Sequence, residues 1–144
     1  MINISTGNRI FVDTSGFKAV FDSDDDFHQK AKIFWLKTQT EETPLITTNF
    51  ILDETFTLFR SHMGKKAALE LRSDIAESPK QIEIVRVTAI DEKNAWHYFE
   101  KLPGRGVSFT DCTSFTVMKR LLVNTAFTFD EDFTQAGFKI TFSR

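Results

Sequence analysis

Short apolar runs and helical patterns take turns along this whole chain, and that alternation constrains the fold more than any other feature. Residues 9–12, 44–48, 81–87, 125–129 and 139–142 read as strands, the first ending at Asp13. Between them, apolar residues recur at helical spacing. Asp13, Thr14 and Ser15 offer N-caps for a helix over 15–21. Phe27, Ala31, Phe34 and Trp35 mark a second helix, and Ile51, Leu52, Thr55, Leu58 and Phe59 a third. Gly64 separates the third from a helix carrying Ala67, Leu71 and Ile75, which stops near Ser78-Pro79. Another helix runs from Thr88 to about Leu102, and Thr110 offers a cap for a last one over 111–122. Strands joined by helices imply right-handed crossovers and a mostly parallel sheet covered on both faces, an α/β fold.

The chain has 144 residues, a length that suits one domain over 1–144 with a core of its own. The lone Cys112 excludes an internal disulfide and a Cys-rich zinc site. Beside Asp111 on a helix's first turn, it reads as a packed thiol. His28, His62 and His97 have no metal-ligand spacing. No apolar run approaches the roughly 18–20 residues of a membrane span, and the N-terminus lacks a signal-peptide pattern. A cytoplasmic protein with no membrane partner is expected. Sixteen phenylalanines against one tyrosine and two tryptophans provide core filling, with some area left for a subunit interface.

In an open α/β sheet, ligands sit beyond the carboxyl ends of the strands. Asp13 ends the first strand and Asp130 follows the fourth. Asp111 opens a helix after the 103–106 loop, and Glu54 lies about a turn and a half into the helix after the second strand. A parallel sheet delivers all four to one edge, where they repel one another unless a cation neutralises them. Hard oxygen ligands without His or Cys point to Mg²⁺ or Mn²⁺ rather than zinc. As single residues, strand-end aspartates are equally ordinary caps. The Asp22–Asp26 run lacks the Gly and Glu positions of a calcium loop, and negative charge ahead of a helix accounts for it.

Four segments occur in register: Val12-Asp13-Thr14-Ser15, Thr48 to Glu54, Ser108-Phe109-Thr110-Asp111-Cys112, and Thr128 to Phe133 with Gly137-Phe138. Together they resemble the PIN domain, and more narrowly the VapC-type toxin ribonucleases of bacterial toxin–antitoxin pairs, over residues 9–141. The resemblance implies a three-layer α/β/α sandwich around a five-stranded sheet and metal-dependent hydrolysis of RNA. Asp13, Glu54, Asp111 and Asp130 then occupy the catalytic and metal-holding positions. Asp132 competes with Asp130 for the fourth metal-ligand place, whereas Asp53 points about 100° away from Glu54 on its helix. Thr14 and Ser15 are either supports of Asp13 or plain N-caps. A water attacking phosphorus in line, with one or two ions, would leave 5′-phosphate and 3′-hydroxyl ends.

The net charge of −2 gives no overall basic surface for RNA. Arg105, in the loop leading to Asp111, is the candidate RNA-binding residue, ahead of Arg60, Lys65, Lys66, Lys119 and Arg120. The resemblance also implies a cognate antitoxin and a homodimer. Two other roles share the fold: a housekeeping nuclease of RNA processing, and a catalytically silent binding module, which would have had no reason to keep the acids. A receiver-type phosphotransfer domain fails for want of an acidic pair at the first strand and a later strand-end lysine.

Overall fold

The computed structural model describes residues 9–77 and 82–142. Five strands form one sheet in the order β3-β2-β1-β4-β5, and every neighbouring pair is parallel. They are β1 (Ile10–Val12), β2 (Leu45–Thr48), β3 (Ile82–Val85), β4 (Thr125–Phe127) and β5 (Lys139–Ile140). The helices are α1 (Thr14–Phe21), α2 (His28–Thr40), α3 (Asn49–Met63), α4 (Lys65–Ala76), α5 (Ala89–Lys101), α6 (Phe109–Arg120) and the short α7 (Asp132–Gln135). The result is an α/β/α sandwich of the expected class. The sheet grows from β1 to β3 in one direction and through β4 to β5 in the other. Its switch in strand order therefore lies between β1 and β4, where Phe11 pairs with Ala126 and Val12 with Phe127.

Helix ends follow from particular residues. Thr48 Oγ1 accepts the Ile51 N–H at 3.0 Å and starts α3. Gly64, at φ 99°, ends α3 and begins α4 in a conformation that side chains with a Cβ resist. Capping boxes open α5 (Thr88 with Asp91) and α6 (Ser108 with Asp111). Thus α6 starts two residues earlier than expected, and Ser108 rather than Thr110 is its cap. Asp13 stands at the N-cap of α1 without making a cap bond, because its carboxylate is engaged elsewhere. The strands are shorter than the apolar runs that announce them; Phe129 and Phe142 pack beyond the ladder ends. The expected stop at Ser78-Pro79 and the strand start at Gln81 fall outside the described residues. No described helix is long and apolar enough to cross a membrane.

Phenylalanine does build the core. Phe11, Phe17, Phe59, Phe115, Phe127, Phe129 and Phe133 are fully buried, and Phe115 meets Phe133 edge-on at 4.9 Å. Phe27 and Phe129 stack at 4.5 Å, tying the 22–27 turn to the end of β4.

Candidate active site

Chain direction decides what lies at the sheet's carboxyl edge. β1 delivers Asp13, the segment after β4 delivers Asp130, α7 begins with Asp132, and α3 and α6 present Glu54 and Asp111. All five line one open cleft of about 680 Å³, together with Ser15, Lys18, Leu58, Gly106, Ser108 and Glu131. Asp53 is exposed, as its helical position requires. Arg105 is exposed in the loop whose next residue, Gly106, forms part of the cleft wall.

Asp13, Glu54, Asp111 and Asp130 are held by hydroxyls or backbone amides, with no ion pair to a lysine or arginine among the described residues. Thr128 Oγ1 donates to Asp13 Oδ2 at 2.8 Å, and Ser15 Oγ donates to the same oxygen at 3.3 Å. Thr14 Oγ1 donates to Glu54 Oε1 at 2.6 Å and lies 3.0 Å from Thr55 Oγ1. Asp111 Oδ2 accepts the Ser108 N–H at 3.1 Å in the capping box, which leaves Oδ1 for the cleft. The chain then winds through the fourth corner: the Asp130 N–H reaches Thr128 Oγ1 at 3.0 Å, and the Asp132 N–H reaches Asp130 Oδ1 at 2.9 Å. Ser15 Oγ accepts the Phe129 N–H at 3.0 Å, so α1 and the end of β4 are locked to one another beneath Asp13. Thr14 and Ser15 thus support the acids, and neither acts as an N-cap.

Burial pushes the Asp13 carboxyl up to about 6, against the bonds from Thr128 and Thr14 and aided by the charges of Glu54 and Asp130. Burial pushes Asp111 further, to about 7, reinforced by Asp13, Asp130 and Glu54. Asp132 is also raised, by burial and then by Asp130. Asp111, Asp130 and Asp132 each place one carboxylate oxygen within 4.8 Å of the others. Three carboxylate oxygens so close, with no ion pair to a lysine or arginine among the described residues, form a donor set that suits a hard divalent cation. Such a set can neutralise charge on a phosphoryl group and hold an attacking water.

Sequence reasoning found the acids and missed two residues. Thr128 is fully buried and joins Asp13 to Asp130; its only signal is the Thr128-Phe129-Asp130 spacing at a strand end. Lys18 looks like any solvated helix residue in the sequence, yet it forms part of the cleft wall. Cys112 is buried, and burial pushes its thiol up to about 11, the opposite of activation by a helix dipole. Within the Asp22–Asp26 run, the Asp22 and Asp25 carboxylates are used in turns and in pairing with Lys18, beyond any dipole effect. Arg120 is committed to Asp91 through two bonds of 2.9 and 2.8 Å, which removes it from any phosphate-gripping rim.

A parallel five-stranded sheet with acids gathered at its carboxyl edge defines an α/β protein whose edge site could hold a metal ion. The PIN-domain model matches residues 10–139, and the chain belongs to the PIN-domain family. Among curated relatives, the 23S rRNA-specific endonuclease VapC20 of Mycobacterium tuberculosis is 36% identical over 129 residues, spanning 90% of this chain and 95% of that protein. The crystal structure of VapC20, described as a Sarcin-Ricin loop cleaving toxin, superposes with a TM-score of 0.79 at 34% identity, over 90% of this chain and 95% of that one. FitAcB from Neisseria gonorrhoeae shares the fold at TM-score 0.65 and 14% identity, covering 91% of this chain and 95% of its own. VapBC2 from Rickettsia felis, bound to promoter DNA, does so at 0.63 and 12%, covering 92% and 96%.

Proposed function

We propose that residues 1–144 form one PIN domain that hydrolyses RNA phosphodiester bonds with Mg²⁺ or Mn²⁺, as the toxin of a toxin–antitoxin pair in the cytoplasm. The observation that carries this is the convergence of Asp13, Glu54, Asp111, Asp130 and Asp132 on one cleft, in a chain 36% identical to a ribosomal RNA endonuclease. Large-subunit ribosomal RNA is accordingly the first substrate to test.

Asp111, Asp130 and Asp132 would hold the cation, and Asp13 and Glu54 line the same cleft as further candidate ligands. When bound, the ion supplies Lewis acidity and offsets the charge that gathers on phosphorus-bound oxygens. The chain's own groups do the rest. Thr128 and Ser15 fix Asp13, and Thr14 fixes one oxygen of Glu54, leaving Oε2 to take a proton from the attacking water. The water oxygen bonds to phosphorus as the bond to the 3′-oxygen breaks, and the leaving 3′-oxygen takes up a proton from solvent water while Glu54 releases its own to solvent, giving 5′-phosphate and 3′-hydroxyl ends. No side-chain nucleophile takes part.

Arg105 would grip a phosphate at the rim. A Cβ added to neighbouring Gly104 would sit 3.4 Å from Asp132 Oδ1, so its loop abuts the acids. Trp96 and Phe99 on α5, half exposed at 51% and 44% and joined to Phe109, provide an apolar face for pairing into a homodimer. A cognate antitoxin would be the inhibitor, in keeping with the toxin description of VapC20.

Induced expression of the unaltered chain and of Asp111→Asn in bacteria tests the toxin role. Growth arrest with new 5′-phosphate ends in ribosomal RNA, absent with Asp111→Asn, is the expected result. Unimpaired growth by a protein that cuts RNA in vitro would favour an RNA-processing nuclease instead.

A further inference from the structure

Among the described residues, six carboxylic acids stand in the wall of the acidic cleft, and its one lysine, Lys18, is already paired with Asp22 and Asp25. Such a wall repels a polyanion everywhere except at the phosphate whose charge a divalent cation offsets. Grip on the rest of an RNA strand has to come from another surface.

A cavity of about 480 Å³ lies between α5 and α6, away from the acids. Asn94, His97 and Tyr98 line it from α5, and Lys119 and Arg120 from α6. Asp91 is the one acid among its described lining residues, and that charge is already spent. Asp91 is 1% exposed. Its Oδ1 takes the Arg120 Nε–H at 2.9 Å, and its Oδ2 takes an Arg120 Nη2–H at 2.8 Å and the Thr88 N–H at 3.0 Å. The pair cancels the charge of Arg120 too, so Arg120 shapes the wall and Lys119 gives the lining its net positive charge.

Lys119 is exposed and has no ion pair among the described residues. On the α5 wall, Asn94 and His97 are three residues apart and share a helix face. Ammonium, amide, imidazole and the Tyr98 hydroxyl can all donate to phosphate oxygens. Lysine, asparagine and tyrosine are side chains that phosphate contacts draw on. Lys119 lies eight residues beyond Asp111 on α6, about 12 Å along the helix axis, which separates the cavity from the scissile bond by a few nucleotides of strand.

We propose that the α5–α6 cavity is a second RNA-binding site, in which Lys119, Asn94 and His97 take a backbone phosphate a few nucleotides from the scissile one. This rests on the RNA-cleaving function proposed for the cleft. Charge complementarity selects the ligand, because the strand that the acids repel is attracted here. The site contributes affinity and register and takes no part in bond breaking.

Binding of a fluorescein-labelled single-stranded RNA of about 16 nucleotides tests it, in Asp13→Asn protein so that nothing is cut. Lys119→Gln is expected to raise Kd about tenfold. The same change should flatten the slope of log Kd against log salt by about 0.7, the share of one phosphate contact on a single strand. Lys119→Arg should restore most of both. In the cleavage-competent chain, Lys119→Gln should raise KM for this strand with kcat little changed. That difference in KM should vanish for a strand of about 4 nucleotides, which is cut from the cleft alone and cannot span to the cavity. His97→Glu, which brings a negative charge to the opposite wall, should weaken binding of the long strand as well, and it carries the test if Lys119→Gln does not fold. Lys32→Gln, exposed on α2, removes the same charge elsewhere and should leave Kd within twofold. A folded Lys119→Gln protein with Kd within twofold and an unchanged slope overturns the proposal, and so does an equal loss in Lys32→Gln. An unaltered protein that neither binds nor cuts RNA defeats the function of the cleft itself, which is a different result.

Discussion

Asp13 and Asp111 are buried carboxyls packed beside other carboxyls, and their raised pKa values mean that the metal-free fold is destabilised by its own site. The sign follows from proton counts. Between about pH 4 and 7 the native state holds protons that the unfolded chain has released, so stability falls as pH rises through that window. Thermal melts in chelator should show a higher Tm at pH 5 than at pH 7, and added Mn²⁺ should raise the pH 7 value. Asp111→Asn keeps an oxygen for the Ser108 N–H while removing the charge. It should lower cleavage at least about a hundredfold and stabilise the metal-free protein at pH 7 by roughly 1–2 kcal/mol, about 3–6 °C. Loss of stability in that variant would mean that the carboxylate is structural. These acids were legible in the sequence because a strand end or a capping position fixes where such a residue points. Thr128 and Lys18 were not, since a strand threonine and a helical lysine have no spacing of their own. Only the fold places them beside Asp13.

At the scale of elements, α1 lies against β4 so closely that a Cβ on Gly16 would come within 2.5 Å of the Phe127 carbonyl oxygen. Gly16→Ala gains helix propensity worth about 1 kcal/mol. It should nevertheless destabilise the protein by about 2 kcal/mol net, because backbone must move, and calorimetric melting would read this. The same shift would disturb the Ser15–Thr128 contact beneath Asp13. On the far side of α6, burial alone would raise the Asp91 carboxyl, but Arg120 and the Thr88 N–H outweigh it and hold it low. Its stabilising contribution is present above the ordinary aspartate range and is lost as pH falls through the lowered value. Arg120→Met, which leaves that carboxylate buried and unpaired, should cost about 2–3 kcal/mol in urea unfolding at pH 7, Arg120 being partly exposed. Element order was readable from the alternating pattern. The four-residue α7 was not, because a single turn shows no periodicity, and α6 was read two residues late because Ser108 and Thr110 are equally good caps in isolation.

The molecule as a whole is a parallel sheet with its acids at one edge and two half-exposed aromatic side chains on α5. If Trp96 and Phe99 form the homodimer face, Phe99→Glu should shift the mass seen by light scattering from dimer to monomer, with the fold intact by circular dichroism. A monomer in both proteins would show that α5 does not form a homodimer face. We propose that the acidic cleft is a metal-dependent RNA hydrolase. Its most direct test is cleavage of a pool of ribosomal RNA, transfer RNA and an unstructured RNA by purified protein with Mg²⁺, with Mn²⁺ and with chelator, beside Asp13→Asn. Cuts that need the metal, vanish with Asp13→Asn and leave 5′-phosphate ends are the predicted result. Cleavage that persists in chelator or in the folded Asp13→Asn variant would contradict it.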